Sequence, residues 1–219
     1  MLGVAFISFR ISVVCHLAVI SLFSLTSFYY IRSFFLKETP LRTNKGSGFK
    51  VMLPKGALLL IAFIALTGRI IEGSISNWST VYMKTVVDFS ENLAPMGLAI
   101  YSAFMAFGRF WGDAVRRRFR ESAILLGCCM FAMAGILVMI SGTEFYFAFI
   151  GLFVSGLGMS CLVPIIYSLA GRQQGVTPGM GIAMVNTISG TGFLFGPFVI
   201  GLIADAYGMR VSFLYVLTL

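Results

Sequence analysis

The sequence predicts an all-α protein, a polytopic membrane helical bundle of six to seven transmembrane helices. Of its 219 residues, 58% are hydrophobic and only 11% are charged, whereas soluble chains carry roughly 25% charged residues. Apolar runs long enough to cross a bilayer recur along the chain, separated by short polar or basic segments. The 22 phenylalanines and 24 glycines suit helices packed in lipid, where small residues allow close approach.

The apolar runs divide the chain into successive predicted spans. We place them at residues 11–31, 56–76, 95–111, 122–140, 145–169 and 182–204, with a seventh beginning at 211–219. Crossing a bilayer core takes about 20 apolar residues, so we expect the last span to be truncated. The span at 122–140 contains no charged side chain, and we therefore expect it to contact lipid on several sides.

The basic residues predict the orientation of these spans. Arg116, Arg117, Arg118 and Arg120 follow the third span directly, and a polar linker rich in lysine and arginine follows the first. Positively charged loops are retained in the cytoplasm, so we expect both connections on that side of a bacterial inner membrane. Because the net charge of +8 is concentrated in loops between apolar spans, we expect a lipid bilayer as partner and no nucleic acid.

Two span-ends resemble each other. Phe107-Gly-Arg-Phe-Trp-Gly-Asp113-Ala ends the third span, and Phe195-Gly-Pro-Phe, followed by Gly201-Leu-Ile-Ala-Asp205-Ala, ends the sixth. One exit is predicted to face the cytoplasm and the other the outside. A three-helix unit repeated in inverted orientation would produce this pattern, and such repeats are found in secondary transporters.

At these residues the chain resembles the major facilitator superfamily. The loop signature of that family has Gly, then Asp four residues on, then Gly three further, then basic residues, and Gly201, Asp205, Gly208 and Arg210 fit this spacing. The inner loop fits less well, because alignment on Asp113 places arginines where the glycines should be. The stretch from Glu72 to Tyr82 also resembles bacterial members related to sugar permeases.

The resemblance implies a domain organisation and a function. Residues 1–36 would be the terminal helix of a preceding N-terminal half, 37–55 a cytoplasmic interdomain linker, and 56–219 a C-terminal six-helix half with its last helix truncated. The whole would be a secondary active transporter that moves a small polar solute by alternating access, with or without a coupled proton. The alternative is a non-transporting truncated membrane protein, or a partner subunit of a membrane complex.

Arg69 and Glu72 are the first candidates for a functional role. They are three residues apart on a predicted helix, so their side chains can meet on one face. Ionisable residues inside a span are costly and usually face the protein interior or a water-filled cavity. One interpretation is a cavity-lining pair that binds substrate or carries a proton on Glu72; the other is a self-neutralising pair that holds helices together.

Asp113 is the candidate for a conformational latch. An acid at a helix end can bind a neighbouring helix terminus or a cation in one conformation and release it in the other. The resemblance implies this role for Asp113 with Arg116 and Arg117, and for Asp205 with Arg210 at the outer exit. The alternative is that the arginines only anchor the topology.

Further polar and small residues line the second and sixth spans. Asn186 and Ser189 are candidates for substrate contact or for hydrogen bonds between helices, and Asn77 and Trp78 for the outer mouth of a cavity or an interfacial aromatic belt. Spacing of the kind Gly192-x-x-x-Gly196 predicts close helix packing and, with Pro197, a kink. The packing candidates are Gly190, Gly192, Gly196 and Pro197.

No pattern in the sequence indicates an enzyme, a cofactor or a metal. With one histidine, a His-rich metal site is not expected. The four cysteines lie in apolar runs without CxxC spacing, and we interpret them as small buried hydrophobic residues. A Gly-x-x-x-x-Gly-Lys-Ser/Thr phosphate loop is missing, so we do not expect ATP hydrolysis.

Overall fold

A computed structural model describes residues 13–35 and 54–219, and in these ranges the regular structure is entirely helical. The chain divides into two compact units, Met1–Val51 and Met52–Leu219. The first contains α1 (Val13–Phe35). The second contains α2 (Ala57–Thr85), α3 (Met96–Arg118), α4 (Glu121–Ser141), α5 (Phe145–Met159), α6 (Leu162–Gly171), α7 (Pro178–Tyr207) and α8 (Met209–Val216).

The first unit is described only by its helix. Residues Leu17–Arg32 form an apolar stretch, and the Arg32 guanidinium lies over the Tyr29 ring, 4.6 Å from its centroid. The predicted terminal helix at 1–36 is thus described from residue 13 to 35. Nearly all of the predicted linker at 37–55 lies outside the described residues.

Small residues set the packing of the second unit, in which α2 packs on α7 and α5 packs on both α3 and α4. A Cβ added at Gly151 of α5 would lie 2.5 Å from the Gly135 carbonyl oxygen of α4. A Cβ added at Gly192 of α7 would lie 2.7 Å from the Leu66 carbonyl oxygen of α2. These helices therefore approach backbone to backbone, as small residues permit in membrane bundles.

The predicted fold class is confirmed. Four helical stretches of the described residues are long and apolar enough to cross a membrane: Ala57–Thr85, Glu121–Ser141, Phe145–Gly171 and Pro178–Tyr207. Helix α3 has the length of a span at 23 residues, but Arg109, Asp113 and its terminal arginines lower its hydropathy. On α4, exposed Leu126, Met130 and Phe131 agree with the expected lipid contact.

Three helix boundaries correct the sequence prediction. Helix α2 continues to Thr85 rather than 76, so Asn77 and Trp78 lie within the helix. Helix α3 continues to Arg118, so three of the four arginines expected in a loop occupy its last turn, where cations favourably face the negative end of the helix dipole. Within the fifth span the helix is interrupted between Met159 and Leu162, since Pro164 has no N–H to donate to the Ser160 carbonyl. The whole stretch Phe145–Gly171 is still long and apolar enough to cross a membrane.

Candidate functional site

An ion pair at the middle of α2 forms the centre of the candidate site. Arg69 and Glu72 are the 13th and 16th residues of a 29-residue helix, and Arg69 Nη1 lies 3.2 Å from Glu72 Oε2. The i, i+3 spacing thus brings the two side chains together as predicted. Because a helix of this length spans about 43 Å, the pair lies far from both of its ends.

Three other helices contribute polar groups to this pair. From α3, Arg109 Nη2 lies 3.8 Å from Glu72 Oε1. From α6, the Tyr167 hydroxyl accepts a hydrogen bond from Arg69 Nη2 at 3.4 Å and donates one to the Asn186 side-chain oxygen of α7. The result is one polar cluster, Arg69, Glu72, Arg109, Tyr167 and Asn186, which we call the Glu72 cluster.

The Glu72 cluster contains more positive than negative charge. Two guanidinium groups, from Arg69 and Arg109, share the single Glu72 carboxylate. Arg69 is also 5.9 Å from the centroid of the Phe193 ring, a distance at which cation–π attraction operates. Exposure increases from Glu72 to Arg109: the side chains of Glu72, Arg69 and Arg109 are 13%, 26% and 47% exposed.

A buried hydroxyl adjoins the cluster. Tyr101 of α3 is 1% exposed, and its hydroxyl has no hydrogen-bond partner among the described residues. Tyr101 lies eight residues, about two helical turns, before Arg109 on the same helix. Buried polar groups are nearly always hydrogen-bonded, so the unpaired Tyr101 hydroxyl marks a position where a further acceptor would be stabilised.

Trp78 and Asn77, the candidates for an outer mouth, make different contacts. The Trp78 indole Nε1 donates a hydrogen bond of 2.9 Å to the Pro197 carbonyl oxygen of α7, and its ring lies against Gly201, where a Cβ would be 2.8 Å from Cζ2. Asn77 donates to the Gly73 carbonyl of its own helix at 2.8 Å. Trp78 therefore joins two helices, whereas Asn77 is exposed on one.

The remaining candidates on α7 divide between the packed and the open faces of the helix. Gly196 approaches Ile70 of α2, and a Cβ there would lie 3.0 Å from Ile70 Cγ2. Ser189 is buried and donates to the Asn186 backbone carbonyl at 3.3 Å. Gly190, in contrast, has no atom within 4 Å of the position of an added Cβ.

A second polar cluster lies at the junction of α3, α4 and α6. Glu121 at the start of α4 accepts from Arg116 of α3 at 3.2 Å and from Arg172, which follows α6. Both arginines also donate to the Ser168 hydroxyl, at 3.0 and 2.8 Å. We call Arg116, Glu121, Ser168 and Arg172 the Glu121 cluster.

The other latch candidates lie apart from this cluster. Asp113 and Arg117 are exposed on α3, and Asp205 is exposed near the end of α7; none of the three forms an ion pair with a described residue. Arg210 of α8 lines a cavity of about 480 Å³, and its Nε has no hydrogen-bond partner among the described residues.

Several residues of both clusters were not identified as candidates from the sequence. Tyr167, Ser168 and Glu121 each bind a partner from another helix, and Arg69 and Tyr167 are 98 residues apart. Tyr101, which adjoins the Glu72 cluster, was missed as well. The only sequence signal for Arg109 was its charge within an apolar run. Contacts between distant helices have no periodic signature, which explains why these residues were missed.

The chain is similar in sequence to bacterial transporters. The chain is 33% identical over 162 residues, 74% of its length, to an MFS-type transporter of Yersinia pestis, where MFS denotes the major facilitator superfamily. It is 30% identical over 179 residues to a transporter of Sinorhizobium fredii. A shorter match, 32% over 92 residues, is to a putative tartrate transporter of Agrobacterium vitis. No family model matches.

The chain corresponds to part of these proteins. The matched residues cover 42% of the Yersinia pestis protein and 48% of the Sinorhizobium fredii protein, so the chain spans less than half the length of these relatives. Among solved structures, it resembles peptide transporter POT bound to sulfate, with a TM-score of 0.67 at 20% identity, covering 76% of this chain and 37% of that one. The same transporter bound to alafosfalin gives 0.67 at 22%.

Proposed function

Since the chain belongs to the major facilitator superfamily, we propose that it forms part of a secondary active transporter that moves a small polar solute across the membrane by alternating access. The Glu72 cluster would be its solute-binding site. The homology of the chain to MFS-type transporters and its fold support the general class. The alternating mechanism and the nature of the solute are our inference from the cluster.

The observation that carries the proposal is the position of the Glu72 cluster. A carboxylate and two guanidinium groups from α2 and α3 lie at the middle of a membrane-length bundle. Tyr167 of α6 and Asn186 of α7 extend this polar cluster. Ionisable residues at such positions are costly in lipid and usually face a water-filled cavity or a substrate path. Asn186 and Arg109 are exposed, so they are available to a solute.

The solutes named for similar transporters support a polar substrate. Tartrate, in the name of an Agrobacterium vitis relative, and peptides, in that of the structural neighbour, are small and polar. The resemblance to sugar permeases adds a third polar class. A coupled proton would be carried on Glu72, the only acidic group of the cluster.

We further propose a bacterial inner-membrane location, with the Glu121 cluster on the cytoplasmic side. The relatives are bacterial, and the positive-inside rule favours a cytoplasmic position for the arginines at the end of α3. Arg116 and Arg172 would then close the inner end of the bundle through Glu121. Asp113 and Asp205 would act as latch residues in conformations other than the one described.

Uptake by the reconstituted chain tests the proposal. The chain in proteoliposomes would be offered a defined mixture of sugars, amino acids and carboxylates, with and without a pH gradient, and internal solutes measured by mass spectrometry. We expect accumulation of at least one solute. Glu72→Gln should reduce its uptake about tenfold or more, because the two guanidinium groups lose their charged acceptor.

A matched variant and the alternative function complete the test. Glu144→Gln removes an acid from the exposed turn before α5 and should leave uptake unchanged. If both variants behave alike, the Glu72 cluster is not the solute-binding site. Failure of all uptake by a correctly inserted chain would instead support the alternative of a non-transporting membrane protein or partner subunit.

A further inference from the structure

The charge balance of the Glu72 cluster suggests which class of solute it binds. Arg69 and Arg109 share one carboxylate, which leaves one positive charge without a partner among the described residues of the cluster. An isolated charge within a membrane-spanning bundle is strongly disfavoured. An anionic solute would neutralise it, a neutral solute would leave it uncompensated, and a cationic solute would be repelled.

The two arginines differ in how fully they are engaged. Arg69 contacts Glu72 at 3.2 Å and Tyr167 at 3.4 Å, and it faces the Phe193 ring. Arg109 makes no hydrogen bond to a described residue, and its approach to Glu72 is 3.8 Å. A guanidinium carries five N–H donors in a planar fork that matches a carboxylate. Arg109 therefore has donors available for a bidentate contact.

The Tyr101 hydroxyl supplies a second, independent observation. It is buried without a partner, and Tyr101 lies eight residues, about two helical turns, before Arg109 on α3. A hydroxyl can donate to an anionic oxygen, and charge-assisted bonds of this kind are about twice as strong as neutral ones. In the described conformation Glu72 does not accept from this hydroxyl and pairs with Arg69 and Arg109 instead.

We propose that the Glu72 cluster binds the carboxylate group of an anionic solute, with Arg109 as its charged ligand and the Tyr101 hydroxyl as a further donor. This inference rests on the proposed function, because it assigns a substrate class to the same site. Arg69 then acts as a positioning residue that holds the Glu72 side chain against the face of their common helix, α2. Glu72 limits the positive charge to one and so favours release of the anion.

Ligand-induced stabilisation tests this assignment without requiring transport. The purified chain in lipid nanodiscs would be unfolded thermally, at equal ionic strength, with acetate, succinate or citrate, and with 1,4-butanediol and putrescine as neutral and cationic four-carbon probes. We expect saturable stabilisation by at least one carboxylate and none by the diol or the diamine. No carboxylate effect, or an equal effect of the diol, would overturn the inference.

Two substitutions separate ligand binding from structural roles. Arg109→Gln should weaken carboxylate binding about tenfold or more, whereas Arg118→Gln, which removes an exposed charge from the same helix, should not. Tyr101→Phe removes an unpartnered hydroxyl, so the unliganded protein should unfold at the same temperature or higher, yet bind the carboxylate more weakly. Identical binding by the two arginine variants would refute Arg109 as the ligand.

The two proposals fail in distinguishable ways. If the chain binds succinate through Arg109 but accumulates no solute, transport is contradicted and the anion site is supported. A chain that accumulates a neutral sugar through a Glu72-dependent route, without carboxylate binding, would contradict only the anion site.

Discussion

At the level of single residues, the clearest feature of this protein is a carboxylate shared between two helices. The Arg69–Glu72 half of the cluster could be predicted, because a spacing of three residues on a helix fixes which side chains meet. Arg109, Tyr101 and Tyr167 could not, because their positions depend on the rotation of α3 and α6 about their own axes. That rotation follows from packing between helices and leaves no local trace in the sequence.

Trp78 gives a prediction about stability rather than solute contact. Trp78→Phe should destabilise the bundle by about 1 kcal/mol, because the hydrogen bond from Nε1 to the Pro197 carbonyl joins α2 to α7 and such bonds in membranes contribute roughly this much. Unfolding in mixed detergent measures the change. Asn77→Ala, which removes only a bond within α2, should cost less; a larger effect at Asn77 would contradict the assigned contacts.

At the level of elements, the α2–α7 interface is determined by glycine positions. The spacing of Gly192 and Gly196 indicated a packed face before the partner helix was known. The structure identifies the partner as α2, with Leu66 and Ile70 against the two glycines. Gly190 belonged to the same predicted group but lies on the open face, since it is two residues from Gly192 and so points to another side of the helix.

A pair of identical substitutions tests this interface. Gly192→Ala should destabilise the protein by about 1–3 kcal/mol, since the new Cβ would lie 2.7 Å from the Leu66 carbonyl oxygen and overpacking costs this much. Gly190→Ala should be neutral or stabilising, because its Cβ meets no atom within 4 Å and alanine favours helix. Equal melting temperatures in reconstituted membranes would exclude close α2–α7 packing.

The end of α3 was predicted as a loop and is helical. Arginine is a good helix former, and three of them at a helix C-terminus are stabilised by its dipole, so charge alone did not mark the helix boundary. The sequence predicted Arg116 and Arg117 either as latch residues with Asp113 or as topology anchors, and it did not indicate that Glu121 binds Arg116. Glu121 lies beyond the turn, and Arg172 reaches it from a segment 51 residues away.

The Glu121 cluster should contribute to stability at that end of the bundle. Glu121→Gln should lower the free energy of unfolding by about 1 kcal/mol, because Arg116 and Arg172 both lose an acceptor in a partly exposed network. Glu91→Gln is the matched control, since it breaks the ion pair between Glu91 and Lys84, two side chains that are both more than half exposed. It should change the free energy of unfolding little. Denaturant unfolding of both variants would show whether this ranking holds.

At the level of the whole molecule, composition and hydropathy were sufficient for the fold class. The approximate limits of most spans follow from apolar length alone, and the basic cluster predicts their orientation. Besides the extension of α3, two departures have local causes: Pro164 divides the fifth span into α5 and α6, and polar residues at the end of α2 prolong the helix beyond its apolar part. The grouping of α2, α3, α6 and α7 around one polar cluster required the structure.

The central claim is that the Glu72 cluster faces a water-filled path rather than lipid. Reaction with a membrane-impermeant thiol reagent tests it most directly, in vesicles containing the chain with its four cysteines replaced by alanine. Asn186→Cys places a thiol beside Tyr167, and Leu126→Cys places one on the exposed apolar face of α4. We predict rapid labelling at 186 and none at 126. If the thiol at position 186 reacted as slowly as the thiol at position 126, the claim would be contradicted.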